Sequence, residues 1–196
     1  MFHLSMWRER MRTSISEMAE GRPAIPPPPR DRQDEVNDSE LAGAIGIPLG
    51  DAAARCDHLM TELIGVYDRV GEQPFEWYGA KTTTEAVLRS GLIHPTTHMA
   101  SYYRENGYVD DARDVIEKTA DTLREASAPD FVLGVAVYNL ACVRVEQGRD
   151  DEAIELLREA LAMRPDLKKT APHDSDLGGL RVEPRFKELV SDQTPP

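Results

Sequence analysis

The sequence predicts an all-α protein made of two helical modules, a bundle followed by a short array of helical hairpins. Three observations predict it. Leu49, Ala52, Ala53, Cys56, Leu59, Leu63, Tyr67 and Val70 recur along one face of an amphipathic helix. His94 and His98 lie four apart, so a helix over Thr84 to Glu105 projects both imidazoles from one face. Gly107, Ala112 and Ile116 return as Gly148, Ala153 and Leu157 at a constant offset of 41 residues. The bundle is expected over residues 1–106 and the hairpins over 95–190, with the helix at 84–105 shared between them.

The elements follow in order. From Met1 to Glu20, His3, Trp7, Met11, Ser14 and Met18 fall on one stripe, which predicts a helix with His3 facing inward. Gly21 stops it. Pro23 and Pro26 to Pro29 then impose a stiff extended connector, serving either as a crossover or as a ligand for a proline-reading partner. Asp34 to Gly46 is a short helix or an ordered loop. The second long helix starts after Pro48 and ends at Val70-Gly71, with His58 at the edge of its stripe as a surface histidine. Pro74 to Gly79 reads as a loop with three aromatics that covers one end of the bundle. Thr82 and Glu85 fit a capping box at the start of the next helix, where Val87, Gly91, His94, His98 and Tyr102 share a face. Pro95 lacks an amide hydrogen, so that helix must kink or restart at His94.

In the second copy of the repeat, Val137 to Pro165, Ala141, Ala153 and Ala160 let paired helices approach, Gly148 makes the turn and Pro165 ends the unit. This stretch resembles a tetratricopeptide repeat (TPR) over its full length, which implies a protein-binding surface. The first copy, from about Pro95 to Ala126, is degenerate. Asp174 to Val190 is similar to the segment that caps short repeat arrays, with Leu177, Leu180, Phe186 and Leu189 covering the last hairpin. Ser191 to Pro196 is expected to fray.

Composition narrows the function. A net charge of -12, with no Lys/Arg cluster beyond local patches, argues against nucleic acid as partner. Met1 to Glu35 is neutral, with six basic and six acidic residues, so the acidity belongs to the rest of the chain. Cys56 and Cys142 lack metal-type spacing and sit in apolar helical patterns, as buried reduced thiols do. Arg8-Glu9-Arg10 comes before any apolar run, unlike a signal peptide, and the most apolar stretch, Phe131 to Val143, is too short to span a bilayer. A soluble cytoplasmic protein with no membrane association is expected.

Three histidines, His3, His94 and His98, sit on predicted inward faces. A core histidine commonly just bonds a carbonyl, whereas three nitrogens around a tetrahedral metal leave one position open, the arrangement of a catalytic site. His3-Leu4-Ser5-Met6-Trp7, Glu20-Gly-Arg-Pro with the proline run, Trp77-Tyr78 and His94-x-x-x-His98 together resemble the DinB-like superfamily, most nearly its ClbS/DfsB four-helix-bundle branch, over roughly Met1 to Gly107. The resemblance implies a divalent metal, zinc or nickel, on His3, His94 and His98. The first helix of that superfamily, which precedes the His-Leu-x-x-Trp segment, has no counterpart after Met1. The sequence continues upstream, or the repeat hairpins cover the exposed seam, or the module is a remnant. A second copy covering the seam makes dimerisation an expectation.

Two functions compete. One is a metal-dependent enzyme of the DinB-like type, a thiol-dependent transferase or a hydrolase, acting on a small metabolite; Glu85 and Asp57 are its acidic candidates without an assigned role. The other is a non-catalytic adaptor whose TPR-like hairpins bind a protein partner while the bundle half serves as scaffold.

Overall fold

Pro48 and Gly71 bound the longest helix of the chain, as their stereochemistry dictates. Proline fits a helix start, and Gly71, at φ 66°, takes a left-handed conformation that stops one. The computed structural model describes residues 1–191, and the frayed end expected from Ser191 lies, from residue 192, outside the described residues. The fold is all-α with one small two-stranded sheet, and contacts divide it into two units, Met1–Pro95 and the chain from Thr96 onward.

In the first unit α1 (Phe2–Ala19) packs on α3 (Leu49–Val70). Trp7, Met11 and Ser14 of the expected stripe are buried, together with Leu4 and Ile15, and meet a face of α3 carrying Cys56, Leu59, Leu63 and Val66. Arg8 is drawn into this interface at 7% exposure. Its guanidinium donates to the Cys56 carbonyl and Sγ, each at 2.9 Å, because a buried cation needs acceptors. Gly21 (φ 74°) ends α1 with two reversed bonds, Gly21 N–H to Met18 O and Arg22 N–H to Glu17 O. The proline connector returns along the unit as a crossover. Ser14 Oγ donates to the Ile25 carbonyl at 2.7 Å, and Tyr78 Oη to that of Pro28 at 2.8 Å. Residues 33–41 resolve as a helix, α2 (Gln33–Leu41).

The aromatic loop is a hairpin instead. β1 (Pro74–Trp77) pairs antiparallel with β2 (Ala80–Thr82) around a turn at Tyr78 (φ 49°) and Gly79 (φ 97°). Two positive φ values match the right-handed twist of the flanking strands. Phe75 and Trp77 point inward and stack at 5.6 Å. Thr82 caps α4 (Thr83–Leu88) by accepting the Glu85 N–H at 3.2 Å, while the Glu85 carboxylate takes the Lys81 N–H rather than that of Thr82. A π turn, Arg89–Ile93, then leads into α5 (His94–Glu105). The widened turn lies directly before Pro95, whose ring would otherwise meet the carbonyl four residues back.

The second unit holds α6 (Val109–Glu125), α7 (Asp130–Glu146), α8 (Asp150–Met163) and α9 (Pro184–Val190). Gly107 (φ 81°) and Gly148 (φ 70°) close their helices with the same pair of reversed bonds, so the 41-residue repeat is a repeat of structure. The core lies between α7 and α8. Val137, Ala141, Ala153, Leu157 and Ala160 are fully buried there, and Leu177, Leu180 and Phe186 of the capping segment seal it. Tyr138 Oη donates to Asp174 Oδ2 at 2.9 Å, tying α7 to that segment. Cys56 and Cys142 are buried and free, and no described helix is long and apolar enough to cross a membrane.

Candidate metal centre

His3 stands in the first turn of α1, and His94 opens α5. Their rings meet edge to face, with centroids 5.3 Å apart. His98 lies one turn further along α5. His3 and His94 are half-buried, but His98 is exposed rather than inward-facing. The buried positions of this segment are Ile93, Thr96 and Ala100, a stripe displaced from the expected one, because Thr96 turns inward to meet the Thr119 hydroxyl at 2.9 Å.

A cavity of about 170 Å³ opens beside His3 and His94. Trp7, Trp77 and Tyr78 form its aromatic walls; Gln33, Asn37, Arg89 and Ser90 supply its polar lining. The Trp7 indole is fixed by donating Nε1–H to Asn37 Oδ1 at 3.1 Å, and Tyr78 packs edge-on against it at 5.7 Å. Tyr78 is held from several sides. The Arg30 and Arg89 guanidiniums lie 5.7 and 5.9 Å from its ring, and Arg30 also donates to its carbonyl. Burial pushes the Tyr78 phenol up, against the opposing pull of a Gln33 hydrogen bond and of Arg10, Arg30 and Arg89.

The two acidic candidates take no part. The Glu85 carboxylate accepts the Lys81 N–H at the start of α4, and Asp57 is exposed on α3; neither lines the cavity. His58 is a surface residue beside Glu62, as its position on the stripe implies. Tyr78 entered the sequence reading only within the Trp77-Tyr78 motif, and Gln33, Asn37 and Arg89 were not assigned to the site, since their meeting depends on the crossover and the hairpin rather than on local spacing. Pro95 was the one local signal, marking the distortion that places Arg89.

The second unit carries a groove of about 650 Å³ over α6, α7 and α8. Arg144, 7% exposed, lies in it between Glu117 and Glu152, and Arg124 pairs with Glu159 at 2.9 Å. The tetratricopeptide repeat family model matches residues 136–171, that is α7 from its second turn, α8 and the turns up to Ala171. No curated protein and no solved structure matches the chain.

Proposed function

We propose that residues 1–106 form a DinB-like module of the ClbS/DfsB type in which His3, His94 and His98 hold a divalent zinc or nickel ion beside the cavity, where a small metabolite is hydrolysed or transferred to a thiol. One observation carries this reading: the imidazoles of His3 and His94 meet at 5.3 Å beside a partly enclosed polar cavity, with His98 one turn further along the helix that His94 opens. The donor chemistry fits. Three neutral nitrogens with no carboxylate among them suit borderline metals such as zinc and nickel and disfavour magnesium and calcium, which take oxygen ligands. Such an ion supplies Lewis acidity at its open position. The chain's own residues do the rest: Trp7, Trp77 and Tyr78 wall the cavity, and Asn37 and Gln33 fix the orientation of Trp7 and Tyr78.

A protein-interaction role for the repeat hairpins accompanies this reading, supported by the repeat match and by the groove over α6 to α8. The adaptor reading takes that groove as the whole function. Elemental analysis of the purified full chain separates the two. The metal reading expects about one equivalent of zinc or nickel, lost in His98→Ala; protein that neither carries nor takes up metal overturns it and leaves the adaptor.

A further inference from the structure

In a chain of net charge -12, the cavity beside the histidines is lined by no acidic side chain among the described residues. Its one formally charged lining group there is the guanidinium of Arg89. The π turn explains how that group comes to share a cavity with His94. In an α-helix two residues five apart point about 140° away from each other. A π turn bonds i to i+5 and brings such residues over one another. Here the bond joins the two residues in question, since the His94 N–H donates to the Arg89 carbonyl. Gly91 within this turn leaves room for the end of the Met60 side chain of α3, whose Cε would lie 2.6 Å from a Cβ there.

We propose that Arg89 is the anion-binding residue of this cavity and that the molecule meeting the histidines there is a small planar monocarboxylate. The proposal rests on the reading of the cavity as a small-molecule site. Three features set the class. A guanidinium presents a planar fork that matches a carboxylate in two parallel hydrogen bonds. A single positive charge beside the neutral amides of Gln33 and Asn37 suits one negative charge better than two. The walls are the flat faces and edges of Trp7, Trp77 and Tyr78, which favour a planar body, and about 170 Å³ lies below the ~300 Å³ at which sites for drug-sized molecules begin.

The chain has two tryptophans, Trp7 and Trp77, and both line the cavity, so their emission reports its occupancy. The test titrates the full chain with benzoate and with its neutral isostere benzamide, once after chelation of metal and once loaded with zinc. The proposal expects benzoate to bind about tenfold tighter or more in both forms, the ordinary gain of a charge-assisted bond. Arg89→Gln abolishes the preference, and Arg89→Lys keeps part of it. Thermal melts by circular dichroism check that each variant is folded, and the wild-type preference itself requires no variant. Equal binding of the two probes overturns the proposal, as does a preference that survives in Arg89→Gln. A preference present only with zinc overturns it too, since the metal then reads the anion. Failure of the metal centre looks different: the chain takes up no zinc, yet the Arg89-dependent preference persists in the chelated form.

Discussion

Gly134→Ala should destabilise the second unit even though the same exchange in a helix interior normally helps. Replacing glycine by alanine in a helix gains about 1 kcal/mol from propensity. At Gly134 of α7 the added Cβ would sit 2.7 Å from Arg164 Cγ, 3.1 Å from Met163 Cβ and 3.4 Å from the Ala160 carbonyl. The Arg164 stem cannot easily yield. Its guanidinium lies 4.4 Å over the Phe131 ring, donates to the Phe131 carbonyl at 2.7 Å and forks onto Asp166 at 2.7 and 2.8 Å. Overpacking costs about 1–3 kcal/mol, and displacing the fork loses about 1 kcal/mol more, which offsets the propensity gain, so the net loss is about 1–3 kcal/mol. That lowers the melting temperature of a unit this size by about 4–24 °C. Gly65→Ala in α3 is the control, because nothing lies within 4 Å of its Cβ, and it should stabilise by up to about 1 kcal/mol. Urea titrations followed by circular dichroism measure the first variant, and tryptophan emission, which arises only in the first unit, measures the control. A Gly134→Ala protein as stable as wild type would refute the close approach of α7 to Arg164.

Two further outcomes test the seal between α7 and the capping segment. Tyr138→Phe removes the bond to Asp174 at 6% exposure and should cost about 1–2 kcal/mol in the same titration, whereas an unchanged midpoint would mean the bond contributes nothing. Burial, reinforced by Asp174 and Asp176, pushes the Cys142 thiol up. Because the folded value lies above the unfolded one of about 8.5, the associated stability is whole below that pH and is lost as pH rises. At pH 10 the loss is about 2 kcal/mol, so Cys142→Ala should shrink the stability difference between pH 7.5 and pH 10 by that amount; an equal difference in both proteins would contradict the cause.

The repeat half was legible because its signals are local. Gly107 and Gly148 mark left-handed turns that little else tolerates, and the alanines at 141, 153 and 160 mark close helix contacts. Pro48, Gly71 and Thr82 likewise fixed helix ends through their own stereochemistry. The hairpin at residues 74–82 was not legible: its two left-handed positions are filled by Tyr78-Gly79 rather than Asn-Gly or Asp-Gly, and Tyr78 tolerates the conformation because Pro28, Arg30 and Arg89 hold it. Of the candidate centre, the spacing of His94 and His98 showed a shared face but not its exposure. That depends on which side of α5 is covered, and Thr96 and Ala100, not the histidine stripe, are buried. Arg89 escaped notice because α-helical geometry turns it away from His94; only the π turn aligns the two.

Substitution of cobalt(II) into the chelated full chain tests the histidine centre most directly, because the visible spectrum of that ion reports both ligand number and geometry. The account predicts one equivalent bound with the intense visible bands of a four-coordinate site, shifted when a thiol is added to the open position, and absent in His3→Ala, His94→Ala and His98→Ala alike. Weak six-coordinate bands, or four-coordinate bands that persist in the three variants, would contradict it.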